Sequence, residues 1–203
     1  MPCLLGLADV FSVIIRWDVA GFYAINLGSQ NGLFDLVMPV LSDIKLWRWP
    51  LLAGALLSLW FGDRRARVTV LLAVVVLVLS DQISSRLLKP LIARQRPSHV
   101  LEGVRLLAGA GGRFGFPSTH AANNFAVWTI LAVRHRRWSS YLLVIPLGVA
   151  FSRIYMGVHY PLDVIGGAIL GIFISSAVLA VSRQDVRLRP GSRKKREPVR
   201  EQN

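Results

Sequence analysis

Apolar positions in this chain gather into long blocks, and the polar positions fall mainly between them. The clearest block runs from Val68 to Ser80 and on toward Leu88. Three more follow near Ala121–Val133, Tyr141–Phe151 and Leu162–Val181. A run of about 20 apolar residues spans a hydrocarbon core about 30 Å thick. Leu51–Phe61 is shorter, but it can begin earlier through Leu46, Trp47 and Trp49, aromatics suited to the membrane interface. The pattern predicts helices over Leu46–Phe61, Arg67–Leu88, Thr119–Val133, Tyr141–Gly157 and Leu162–Val181, an all-α polytopic membrane helix bundle. Before these, Leu4–Ile15 is cut by Arg16-Trp17-Asp18, and two short apolar runs flank Gly28–Gly32. One reading is a single bent crossing, which gives the expected total of six. The other is a set of interfacial helices, leaving five crossings and an external amino terminus.

Composition agrees with a membrane protein, because 53% of the 203 residues are hydrophobic and only 17% charged. The net charge of +13 raises nucleic acid as a partner, but its distribution argues against one. Asp63–Arg67, Arg134–Arg137 and Arg183–Arg200 form three basic clusters that the five helices place on one side. The positive-inside rule makes that side cytoplasmic. Residues 1–183 are then a membrane-embedded domain and residues 184–203 a basic cytoplasmic tail, too poor in apolar residues to fold alone. The segment from Arg86 to Arg113 lies opposite, yet it carries Arg86, Lys89, Arg94, Arg96, Arg105 and Arg113. An anionic substrate would account for this. Cys3, the only cysteine, excludes an intramolecular disulfide and a zinc–thiolate site, and reads as an inert thiol.

The remaining polar chemistry lies in three clusters at the ends of apolar blocks, where such groups mark a functional site by default. Lys89 and Arg96-Pro97 come where Pro90 and Pro97 prevent an uninterrupted helix. An ammonium and a guanidinium there can bind different oxygens of one phosphate. Pro117-Ser118-Thr119-His120 opens the next helix, whose capped end offers free amides to an anion. His120 there can give a proton to a leaving oxygen. Ser152-Arg153, His159 and Asp163 form the third cluster, with Pro161 suited to the first turn of the last helix. Asp163, in that turn, can fix the tautomer of His159 and leave its other nitrogen free to attack. Between Pro97 and Pro117, a glycine-rich stretch follows a helix and not a strand, so a nucleotide-binding loop is excluded; a cover over the site or a plain connector remains.

In order, the clusters read K-x6-R-P, P-S-T-H and S-R-x5-H-x3-D. This pattern resembles the type 2 phosphatidic acid phosphatase superfamily, which includes vanadium haloperoxidases and bacterial undecaprenyl-diphosphate phosphatases. The resemblance covers about residues 50–182. Its middle motif usually reads P-S-G-H, and Thr119 stands here in the place of that glycine; the backbone amide is kept, but a side chain is added. The resemblance implies that His159 is a nucleophile forming a phosphohistidine, that Asp163 orients it, and that His120 protonates the leaving group and later activates water. It further implies that Lys89, Arg96, Ser118, the Thr119 amide and Arg153 surround the phosphoryl oxygens. Arg94 lies outside the pattern and is a secondary candidate.

The expected protein is an integral membrane lipid phosphatase of a bacterial inner membrane, without metal or cofactor, with its site toward the periplasm and its carboxy terminus in the cytoplasm. Its partners are the bilayer and a lipid phosphate. Undecaprenyl diphosphate is the first candidate substrate, ahead of phosphatidylglycerophosphate, phosphatidic acid and lipid A 1-phosphate. A non-catalytic lipid-phosphate-binding protein is the alternative from another class, though it would have no use for the His159–Asp163 and His120 arrangement.

Overall fold

The computed structural model describes residues 6–188; Cys3 and the tail from 189 onward lie outside them. Apart from one isolated bridge between Gln95 and Phe114, the described residues form helices joined by loops. Helix α1 (Leu7–Asn26) is followed by α2 (Gly32–Ser42) and α3 (Ile44–Phe61). The next helix begins as α4 (Arg64–Gln82), passes through a wider π-helical turn (Ile83–Leu88), and ends as α5 (Lys89–Ile92). After the short α6 (Pro97–Val100) come α7 (Thr119–Arg134), α8 (Ser139–Leu142), α9 (Val144–Tyr155) and α10 (Pro161–Leu188). Helix α10 thus runs past residue 183 into the segment expected to be tail.

Two expectations change. Arg16-Trp17-Asp18 does not interrupt the first helix, because Asp18 is 4% exposed and finds partners in Arg94 and the Leu162 amide. Pro90 does not end the α4–α5 helix either. The preceding turn widens so that the Lys89 amide bonds to the Ser84 carbonyl, five residues back, which makes room for the proline ring. The chain leaves the helix three residues later, at Ala93, whose φ is 50°.

Arg64–Ile92 and Pro161–Ser182 are long and apolar enough to cross a membrane. Helix α3 buries no residue at all and exposes Leu51, Trp60 and Phe61. Such apolar faces would be a liability in water and are ordinary in lipid.

The bundle centre is set by close contact of α7 with α10. Gly167 and Gly171, one turn apart on α10, meet the backbone of α7: a Cβ at Gly171 would fall 2.2 Å from the Ala122 carbonyl oxygen. Ser175, one turn further, donates to the Ala126 carbonyl at 2.8 Å. Small residues at this spacing let two helices pack backbone to backbone in a membrane. One buried cluster, Val76 with Ala126, Ile130 and Ile174, joins α4 to this pair. Another, Phe22 with Phe125, Ile154 and Tyr160, joins α1 and α9. At one end of the bundle Arg134 reaches the Arg65 carbonyl at 3.0 Å, and Arg65 reaches the carbonyl of Arg134. The basic clusters of residues 63–67 and 134–137 therefore share an end, and Lys89 and Ser118–His120 lie at the other.

Candidate active site

The beginning of α10 builds the centre of the site. Pro161 opens the helix, and Asp163 turns back to accept the Tyr160 amide on Oδ2 at 3.0 Å. The same oxygen faces Nδ1 of His159 at 3.4 Å. His159 is 1% exposed and Asp163 0%. Across the ring, Nη1 of Arg96 lies 2.9 Å from Nε2. A guanidinium can only donate, so Nε2 is the bare nitrogen and the proton sits on Nδ1, toward Asp163. Burial, and then the charges of Arg96, Arg153 and Lys89, hold the imidazole well below its usual range, so it is neutral.

Arg96 is fixed from several directions. It donates through Nη1 to the Val158 carbonyl at 3.0 Å and through Nε to that of Gly112 at 2.7 Å. Its amide donates to the Arg113 carbonyl, and the Gly115 amide to that of Arg94. The glycine-rich stretch is therefore fastened beside the site along its later half. Glycine is required at 115, where a Cβ would lie 2.9 Å from Oδ2 of Asp163.

Helix α7 supplies the opposite wall. Ser118 caps it, accepting the Ala121 amide, and its own amide donates to the Asp163 carbonyl at 2.9 Å. The two helix starts are thereby tied together. Oγ1 of Thr119 is held by Ser84 at 3.2 Å and Ser85 at 3.3 Å, so the extra side chain points to the widened turn after α4. His120 has the cations Arg153, Lys89 and Arg96 as neighbours, together with His159. Nε of Arg153 is buried and has no hydrogen-bond partner. Lys89, Arg96, His120, Arg153 and Asp163 are thus gathered around one imidazole, Ser118 is tied to Asp163, and the Thr119 side chain is turned to Ser84 and Ser85.

Arg94 was legible only as a secondary candidate, and its partner Asp18 not at all. Arg94 donates through Nη1 to Oδ1 of Asp163 at 2.8 Å and through Nη2 to Asp18. Asp18 comes from α1, and the signal that could have found it is a carboxylate inside an apolar run. Arg105 pairs with Asp35, and Oδ1 of Asp35 also accepts from the Tyr155 hydroxyl. Part of the positive charge between Arg86 and Arg113 is therefore balanced from within the protein and needs no substrate.

A neutral imidazole backed by a carboxylate and ringed by cations is suited to phosphoryl transfer. The family model of the PAP2 superfamily matches residues 52–187. The chain belongs to this superfamily. The lipid A 4'-phosphatase of Bacteroides thetaiotaomicron is 33% identical over 155 residues, covering 72% of this chain and 68% of that one. The undecaprenyl-diphosphatase BcrC of Bacillus subtilis is 29% identical over 155 residues, covering 75% and 78%. The crystal structure of a transmembrane PAP2 type phosphatidylglycerolphosphate phosphatase from Bacillus subtilis superposes with a TM-score of 0.63 at 24% identity, covering 87% of this chain and 90% of that one. That likeness establishes the shared fold. With these relatives, the protein is a membrane phosphatase of the PAP2 superfamily.

Proposed function

We propose that this phosphatase removes a phosphate from undecaprenyl diphosphate at the outer leaflet, through a phosphohistidine on His159. The observation that carries this reading is the bare Nε2 of a neutral, buried His159, with its other nitrogen turned to Asp163. The phosphoryl group enters between Lys89, Arg96 and Arg153, and the unpartnered Nε–H of Arg153 gains an oxygen to bond. Arg96 shifts its Nη1–H from Nε2 to a phosphoryl oxygen, which frees the nitrogen to attack phosphorus. The Ser118 hydroxyl and the Thr119 amide complete the cage. His120 gives a proton to the departing oxygen, then takes one from water, which attacks the phosphohistidine and releases phosphate. Fixed cations and helix-terminal donors supply the charge stabilisation this transfer needs.

A groove of about 330 Å³ beside Arg94 and Tyr160, walled by Ile15, Val19 and Val100, offers apolar surface next to the site for a lipid chain. Six crossings, with the basic ends in the cytoplasm, put the site on the periplasmic side. A second reading, lipid A as substrate, is favoured by the similarity to the Bacteroides lipid A 4'-phosphatase.

The test is phosphate release by the purified protein in detergent with EDTA, comparing undecaprenyl diphosphate, phosphatidylglycerophosphate, phosphatidic acid and lipid A. Fast release from undecaprenyl diphosphate, abolished in His159→Ala, is expected. Preference for lipid A selects the second reading, and loss of release with EDTA refutes the metal-free mechanism.

A further inference from the structure

Asp18 lies on α1, before the part of the chain that matches the family model. Its side chain is 0% exposed, as is that of Asp163, and the two carboxylates share one guanidinium, that of Arg94. Oδ1 of Asp18 also accepts the Leu162 amide at 2.8 Å, one of the free donors at the start of α10. The guanidinium carbon of Arg94 lies over the Tyr160 ring, 4.2 Å from its centroid. Every residue from 160 to 163 is therefore held directly by this network or adjoins a residue that is. Asp163 has both oxygens engaged, Oδ1 by Arg94 and Oδ2 by the Tyr160 amide, and so cannot turn away from Nδ1 of His159.

Burying two carboxylates with one guanidinium is a costly way to join two helices, and apolar packing would do so with less desolvation. What the ion network adds is charge. Two carboxylates and one guanidinium sum to one negative charge behind the imidazole. On the other faces of His159 stand Arg96, Arg153, Lys89 and His120. When Nε2 bonds to phosphorus the ring becomes cationic, and among the described residues the carboxylate directed at it is that of Asp163.

We infer that Arg94 and Asp18 are positioning residues of the reaction: through Asp163 they hold His159 in its attacking orientation and set the charge it feels. This rests on His159 as the nucleophile. The α1 helix is then part of the catalytic machinery and not only a membrane anchor.

The two residues act with opposite sign, which separates this role from simple bracing. Asp18→Asn leaves Arg94 balanced by Asp163 alone, takes the charge behind the imidazole from −1 to zero, and lowers the affinity of His159 for a proton. Arg94→Gln leaves two unbalanced carboxylates and raises it. The measurement is a titration of His159 by nitrogen NMR in histidine-labelled protein in detergent, assigned with His159→Gln, alongside kcat and KM for the lipid turned over fastest. Opposite displacements of the imidazole titration are expected, with the Asp18→Asn/Arg94→Gln double variant returning toward wild type. Each single variant should lose about 10-fold or more in kcat at little change in KM. Arg94→Lys keeps the cation on one arm; its titration should stay near wild type while kcat falls, and it reads the network if Asp18→Asn fails to fold. Loss of kcat with an unmoved titration in Arg94→Gln would overturn the proposal. Wild-type turnover in His159→Gln would instead overturn the nucleophile on which it rests.

Discussion

Arg96 and His159 are joined by a hydrogen bond of 2.9 Å that does two things at once. It leaves the proton of the imidazole on Nδ1, and it caps the nitrogen that attacks. The guanidinium is thus both the device that selects the tautomer and the first group a phosphate must draw away. Arg96→Lys keeps a cation but loses the fork that spans Val158, Gly112 and His159. We expect kcat/KM to fall about 100-fold in Arg96→Lys. An unchanged value in steady-state assays would remove Arg96 from the site.

The depressed proton affinity of His159 has a consequence for stability. The folded state keeps the ring neutral, whereas the unfolded chain protonates it below about pH 6.5. The unfolded state then binds more protons, so this contribution is complete above pH 6.5 and is lost as the pH falls below it. His159→Gln should therefore show a smaller fall in Tm between about pH 6.5 and 5 than the wild type. Parallel Tm curves for the two proteins would contradict a neutral buried imidazole.

Thr119 stands where the family motif has glycine, and its hydroxyl is taken up by Ser84 and Ser85. In the proposed cage it is the amide that binds phosphate. Thr119→Gly should keep kcat within about threefold while lowering stability by about 1 kcal/mol through the lost hydrogen bonds. A loss of kcat far beyond this, measured with the protein still folded, would mean that the hydroxyl acts on substrate.

The α7–α10 contact carries the geometry of the site, because it brings Ser118 to Asp163. Gly171→Ala puts a methyl group against the Ala122 carbonyl and should cost about 1–3 kcal/mol, with lower activity. Gly54→Ala on α3, where nothing lies within 4 Å, is the control and should leave activity unchanged and raise stability by up to about 1 kcal/mol. Thermal unfolding in detergent, with turnover measured alongside, tests the pair.

Much of the site was legible because its parts are short motifs at helix starts, where proline, a cap and a first-turn carboxylate each leave a local mark. The R-x5-H-x3-D spacing places His159 just before α10 and Asp163 inside its first turn, and the structure has them there. Asp18 was not legible in this way. A charge in an apolar run looks like a break when its partner is unknown, and Arg94 is 76 residues away. The helix from Arg67 was expected to end at Leu88, before Lys89 and Pro90, but it continues to Ile92, because a widened turn leaves no pattern in hydrophobic spacing. Likewise the stretch read as one helix from Tyr141 to Gly157 divides into α8 and α9 and ends at Tyr155, before Gly157 takes a φ of 80°. Apolar periodicity does not register such local changes of turn.

A covalent phosphoryl group on His159 is trapped by rapid acid-free quenching during turnover. Peptide mapping by mass spectrometry after the quench should find phosphate on His159, stable in alkali and lost in acid, and none in His159→Ala. Turnover at full rate with no phosphate on His159, or with phosphate on another residue, would contradict the account.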